Sequence, residues 1–124
     1  MGIKFTIDHK ARYVEARAED VVDLKDVEAF LDAVVVQDAL RYRKLLDGRG
    51  AVPKYTNDDV MALGARVSAY AQIEQRGALA LVAGTDEHFE LAARFINLGK
   101  SDRPAKVFRS VDDARKWLEA QPEV

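Results

Sequence analysis

The stretch from Leu45 to Val60 constrains the fold more than any other part of the chain. Apolar Leu45 and Leu46 stop at Asp47, and Gly48-Arg49-Gly50-Ala51-Val52-Pro53 follows. Polar Thr56-Asn57-Asp58-Asp59 then introduces a run rich in small residues. This order reads as a strand-to-helix turn at the carboxyl end of a strand, where open α/β sheets usually place their working sites. Thr56 is the expected N-cap, and Asp58 and Asp59 complement the positive end of the helix dipole.

The rest of the chain repeats the alternation. Ile3, Phe5 and Ile7 alternate with polar residues, the period of a half-buried strand. Residues 13–18 form a second strand, joined to the first by a polar hairpin at Asp8-His9-Lys10-Ala11. Gly2 with Thr6 loosely fits a myristoylation pattern, but the strand alternation explains the same residues. Asp23 caps a helix with Asp26 in the capping-box position, and Val27, Phe30, Leu31, Val34 and Val35 make its apolar stripe. Residues 41–46 are the next strand. The following helix buries Val60, Leu63, Gly64, Val67 and Ala71 and ends at Gly77. Residues 78–83 are continuously apolar, as expected of a central strand covered on both faces. A helix carrying Phe89, Ala92, Ala93 and Ile96 comes next, with Gly99 as its C′ residue. A short strand at 106–109 leads to a last helix, capped by Ser110 with Asp113, that docks through Val111, Ala114, Trp117 and Leu118.

The order β-β-α-β-α-β-α-β-α gives an α/β fold class: one mixed, mostly parallel five-stranded sheet with an N-terminal antiparallel hairpin and four helices. A chain of 124 residues, 48% hydrophobic and 32% charged, is expected to form a single domain over residues 1–124. Its formal net charge of −2 lacks the basic stripe of a nucleic-acid binder. Without cysteine there is no disulfide, thiolate nucleophile or cysteine-ligated zinc. No apolar run approaches the roughly 20 residues of a membrane span, and no signal peptide is visible. A cytoplasmic location is the expectation.

Four segments carry a resemblance: Tyr42-Arg43-Lys44-Leu45-Leu46-Asp47, the helix Asp59-Val60-Met61-Ala62-Leu63-Gly64, the strand Ala80-Leu81-Val82-Ala83, and the ending from Val107 to Leu118. Their order resembles the STAS domain, the fold of bacterial anti-sigma-factor antagonists and of the cytoplasmic tails of sulfate transporters. It is most similar to the small STAS-like bacterial proteins, whose fold relates to CRAL-TRIO lipid-binding domains. In the antagonists a phosphorylatable serine starts the helix after this strand. Here the loop is longer, and Thr56 is the nearest hydroxyl. The resemblance makes Thr56 a candidate phosphoacceptor by position. Its simplest role is that of an N-cap.

Asp47, Gly48, Arg49, Gly50, Asn57 and Asp58 form a candidate interaction or anion-binding loop, with the glycines as a backbone nest and Arg49 as a charge partner. Turn chemistry explains the glycines as well. His9 and His88 lack metal-ligand spacing, and Ser68, Ser101 and Ser110 do not sit on a nucleophile elbow. Arg41, Arg43 and Lys44 form one basic cluster and Arg103, Lys106 and Arg109 another. Both are expected on a solvated face. Phe30, Phe89, Phe95 and Trp117 are expected in the core, with the lining of an apolar cavity as the alternative.

These residues favour a non-enzymatic regulatory or protein-interaction module whose contact surface is the 47–59 loop. The alternative is a carrier of a small apolar or lipid ligand. An enzyme ranks last, for want of a nucleophile, base or metal set, and no cofactor is implied. The expected partner is a protein, a second copy of this chain or a small apolar ligand. A carrier should show an apolar cavity, whereas an interaction module should show a filled core and an exposed patch.

Overall fold

The computed structural model describes residues 2–98 and 103–124. Their elements are β1 (Gly2–Asp8), β2 (Tyr13–Asp23), α1 (Leu24–Val36), β3 (Arg43–Lys54), α2 (Asn57–Tyr70), β4 (Leu79–Val82), α3 (Asp86–Leu98), β5 (Ala105–Phe108) and α4 (Val111–Glu119). The sheet runs β1-β2-β3-β4-β5. β1 is antiparallel to β2, and every other pair is parallel. The expected mixed sheet with four helices is present. The apolar segment at 78–83 contributes an internal strand, β4, flanked by β3 and β5.

Sequential parallel strands joined by right-handed crossovers put every crossover helix on one face of the sheet. α1, α2 and α3 share that face and line one cavity against it. α4 follows the last strand, is not a crossover, and packs on the opposite face against β3, β4 and β5. Two cores result. Val14, Ala16, Phe30, Val34, Ala39 and Leu40 fill the α1 side, whereas Leu45, Ala78, Ala80, Val82, Ala114 and Leu118 fill the α4 side. Leu45 and Lys44 are neighbours in β3 and point to opposite faces, as the pleat requires.

The 47–59 segment is not a loop. Residues 47–54 continue β3, with Gly50 through Lys54 paired to Glu19 through Asp23 beyond a bulge at which Gly48 and Arg49 of β3 stand opposite Ala18 of β2. Of β3, only Lys44 through Asp47 pair with β4, so among the described residues the far half of β3 has no neighbouring strand on that side. That edge tolerates Pro53, which has no N–H to donate. Gly48 and Gly50 serve close backbone approach: a Cβ would stand 3.1 Å from the Val82 carbonyl oxygen at the first and 3.4 Å from that of Ala18 at the second.

The helix starts follow the sequence. Asp23 with Asp26 and Thr56 with Asp59 form complete capping boxes, and Ser110 accepts from the Asp113 amide. The α1 terminus does not follow from it. Asp38 takes φ +58°, while the amides of Asp38 and Ala39 donate to the carbonyls of Val35 and Val34. This is a Schellman end with aspartate where glycine is usual. α2 stops at Tyr70, well before Gly77. Trp117 is half-buried, not largely buried, and lies against Phe108 with ring centroids 5.6 Å apart. Gly99 and Ser101 lie outside the described residues.

Candidate functional site

The residues singled out at 47–59 hold one another. Arg49 donates from Nε and Nη2 to the two oxygens of Asp47, each at 2.9 Å, and its amide donates to Asp47 at 3.1 Å. These bonds hold the Asp47 carboxyl below its usual range and engage Arg49. Gly48 and Gly50 are extended strand, so they form no nest for an anion. Asn57 Oδ1 accepts from Arg94 at 3.0 Å, tying α2 to α3. Asp58 is exposed in the first turn of α2. Thr56 is exposed, and its hydroxyl accepts from the Asp59 amide at 3.1 Å. The strand order never reverses among the parallel strands, so there is no switch-point crevice at their carboxyl ends.

The concave feature lies between the sheet and the three crossover helices. It is a cavity of about 200 Å³. Its floor includes Ala16, Leu46, Leu79 and Leu81 of the sheet, and its walls include Phe30 and Val34 of α1, Leu63 and Val67 of α2, and Leu91 and Phe95 of α3. Period-two alternation aims Lys44, Leu46 and Gly48 at it. Phe30 and Phe95 therefore line a cavity, while Phe89 and Trp117 do not. The cavity side of α3 is His88, Leu91, Ala92 and Phe95. Tyr55 lines it too, and burial, then the charges of Asp26 and Asp23, raises its hydroxyl to about 12.

Lys44, Arg76 and Arg103 also line the cavity. Lys44 and Arg76 are 5% and 3% exposed, and Arg103 is half-buried. Lys44 and Arg103 thus depart from the solvated clusters expected of them. Burial, reinforced by the charges of Arg103 and Arg76, pushes the Lys44 ammonium down to about 6. Burial and Arg76 bring Arg103 to about 9. The remaining basic residues behave as expected or are tied down. Arg41 pairs with Glu74, Arg43 donates to the Leu118 and Gln121 carbonyls, Arg109 pairs with Asp86, and Lys106 is exposed. A signal for Lys44 existed in the sequence: it shares a strand face with Leu46. Arg76 carried no such signal, because its neighbours Gln75 and Gly77 belong to no regular element.

His88 Nδ1 is buried on the cavity side and has no hydrogen-bond partner among the described residues. His9 lies far along the chain in the β1–β2 turn, 2.8 Å from the Tyr42 hydroxyl. Among the described residues no cluster of three or more histidines and acids is arranged to hold a metal ion, and no helix is long and apolar enough to cross a membrane.

No protein-family model and no curated protein matches the chain. A solved structure does. It is an uncharacterized protein from the DUF3478 family of Shewanella loihica PV-4, described as having a SpoIIAA-like fold. The two align with a TM-score of 0.64 over 94% of this chain and 93% of that one, at 16% identity. The fold is STAS-like. At that identity the likeness establishes architecture and leaves the chemistry to the residues of this chain.

Proposed function

We propose that the protein is a non-enzymatic binder of a small apolar ligand, held between the sheet and α1, α2 and α3. The observation that carries this reading is the cavity of about 200 Å³ with its aliphatic and aromatic lining. Interiors normally pack without voids much larger than a water molecule. A cavity of this size within an otherwise regular fold is therefore a site to be filled, and its lining selects an apolar occupant. Octan-1-ol is a suitable probe, and calorimetric titration should show saturable binding. Ala92→Phe, which projects a ring from α3 into the space, should abolish it. Failure of octan-1-ol to bind up to its solubility limit would remove this reading.

A contact surface near the start of α2 is the second reading. Val21 and Val52 are register partners in β2 and β3, and are 53% and 58% exposed. Two apolar side chains at the projecting end of the sheet suit a protein contact. Thr56 lies four residues beyond Val52. Phosphate there would add about −1.5 to −2 charge beside Asp58 and Asp59 and release an apolar partner. Thr56→Glu should mimic that release in a pull-down, whereas Thr56→Ser should keep both cap and partner. Identical partners for both variants would reduce Thr56 to a helix cap.

A further inference from the structure

Most polar residues of the cavity lining are answered by the protein itself. Lys44 Nζ donates to the carbonyls of Leu40 and Tyr42, each at 2.6 Å. Arg76 Nη1 donates to the Val67 carbonyl at 2.7 Å and Arg103 Nη1 to that of Gly77 at 3.4 Å, and both arginines have further partners. Asp47 is engaged by Arg49 at 2.9 Å, and the Tyr70 hydroxyl accepts from Arg66 at 2.8 Å. His88 differs. Its Nδ1 is buried and has no hydrogen-bond partner among the described residues. The backbone beneath it is fixed locally. Thr85 accepts the His88 amide on its hydroxyl at 3.1 Å and the Phe89 amide on its carbonyl at 2.9 Å, which sets the first turn of α3. From that turn His88 shares a helical stripe with Leu91, Ala92 and Phe95, and all four line the cavity. One ring nitrogen thus interrupts an apolar wall.

A buried imidazole nitrogen left unbonded is costly, and an occupant that bonds it offsets that cost. Resting on the ligand-binding reading above, we propose that the occupant is a small neutral alcohol or phenol whose hydroxyl bonds His88 Nδ1. Its apolar body fills the space under α1, α2 and α3. A hydroxyl both donates and accepts, so it meets Nδ1 in either tautomer of the neutral ring. Charged head groups fit less well. α3 leaves the carboxyl end of β4, and at that end of the β3–β4 pairing the lining carries the Asp47 carboxylate, whereas Lys44 stands at the other end. An anion at His88 would therefore meet a like charge, and a cation would give up its hydration to an apolar wall. Size supports the same class. An engineered cavity of about 150 Å³ holds benzene, and drug-sized ligands need roughly 300–1,000 Å³. About 200 Å³ suits a substituted single ring or a short alkyl chain, and is too small for a phospholipid.

The test titrates p-cresol and p-xylene, which differ by a hydroxyl in place of a methyl, into the wild type, His88→Phe and His88→Asn. The wild type should bind p-cresol about fivefold to tenfold more tightly than p-xylene, the scale of one hydrogen bond. His88→Phe keeps a ring without the nitrogen and should lose that preference while still binding p-xylene. His88→Asn, whose amide reaches about as far as Nδ1, should restore part of it. A purely structural His88 would move both ligands alike. Nitrogen NMR of the wild type gives a readout that needs no variant to fold. The chain has two histidines, and p-cresol should shift the His88 Nδ1 resonance where p-xylene leaves it in place. Equal affinity for the two ligands, with that resonance unmoved, would overturn the hydroxyl assignment and leave the apolar site standing. Failure of both ligands to bind would remove the site itself.

Discussion

Replacing Lys44 by methionine should stabilise the ligand-free protein, although it removes two hydrogen bonds. The Lys44 side chain is 5% exposed, and its ammonium falls from an ordinary 10.5 to about 6 in the fold. At pH 7 the unfolded chain holds the proton and the folded chain has released it. The gap between pH 7 and 10.5 costs ~5 kcal/mol at about 1.36 kcal/mol per pH unit. Methionine has nearly the same length and carries no charge. It forfeits the bonds to the Leu40 and Tyr42 carbonyls, about 1 kcal/mol each. The variant should therefore gain ~3 kcal/mol at pH 7, and local relaxation around the ammonium lowers that figure. The pH dependence is the sharper signature. The unfolded state binds the extra proton between about 6 and 10.5, so the wild type gains stability as pH rises through that window. The advantage of Lys44→Met should shrink by about 2–3 kcal/mol from pH 7 to pH 9. Below about pH 6 both states are protonated and the advantage should be constant. Urea denaturation of both proteins across this range provides the measurement. A variant less stable than the wild type at pH 7, or a difference independent of pH between 7 and 9, would show that Lys44 keeps its charge in the fold.

Three further substitutions check other parts of the architecture. Gly77→Ala places a Cβ 2.2 Å from the Tyr42 carbonyl oxygen and 2.5 Å from that of Arg41. It should cost at least about 2–3 kcal/mol by denaturant melting, and a loss within about 0.5 kcal/mol would mean that this crossing of backbones is looser than drawn. Asp38→Gly relieves a left-handed aspartate at the α1 terminus and should raise stability by about 0.5–1 kcal/mol; a destabilised variant would argue that the aspartate side chain itself holds the turn. Trp117→Ala should cost about 2 kcal/mol, since its ring is half-buried against Phe108 and a fully buried ring would cost about 3–5. A negligible loss would place α4 off the sheet.

How much was legible depends on the range of the interaction that decides each feature. The Asp23 and Thr56 capping boxes each span four consecutive residues, so sequence contains the whole motif. The end of α1 is just as local, but it uses Asp38 where pattern reading looks for glycine. β3 shows the opposite case. Gly48, Gly50 and Pro53 look like turn residues in isolation, yet β2 extends alongside them and supplies the ladder. Nothing within residues 47–54 announces that partner. Trp117 falls between these cases: its helical stripe was correct, but how deeply the ring sinks depends on Phe108 and the sheet behind it.

The amino-acid sequence by itself determined the periodicities, and through them the order of strands and helices, the antiparallel start and the four-helix count. Those features need only neighbours within a turn or a pleat. It also determined the face on which α1, α2 and α3 lie, because right-handed crossovers between sequential parallel strands allow one choice. Only the tertiary structure decided that Lys44, Arg76 and Arg103 share one end of one cavity. They come from three segments far apart in the chain, Lys44 within β3 and the two arginines just before β4 and β5. Adjacent residues had grouped Lys44 with Arg41 and Arg43, but β3 turns alternate side chains to opposite faces and sends Lys44 inward. Charge in a sequence is counted along the chain, whereas the cost of burying it is set by which segments the sheet brings side by side.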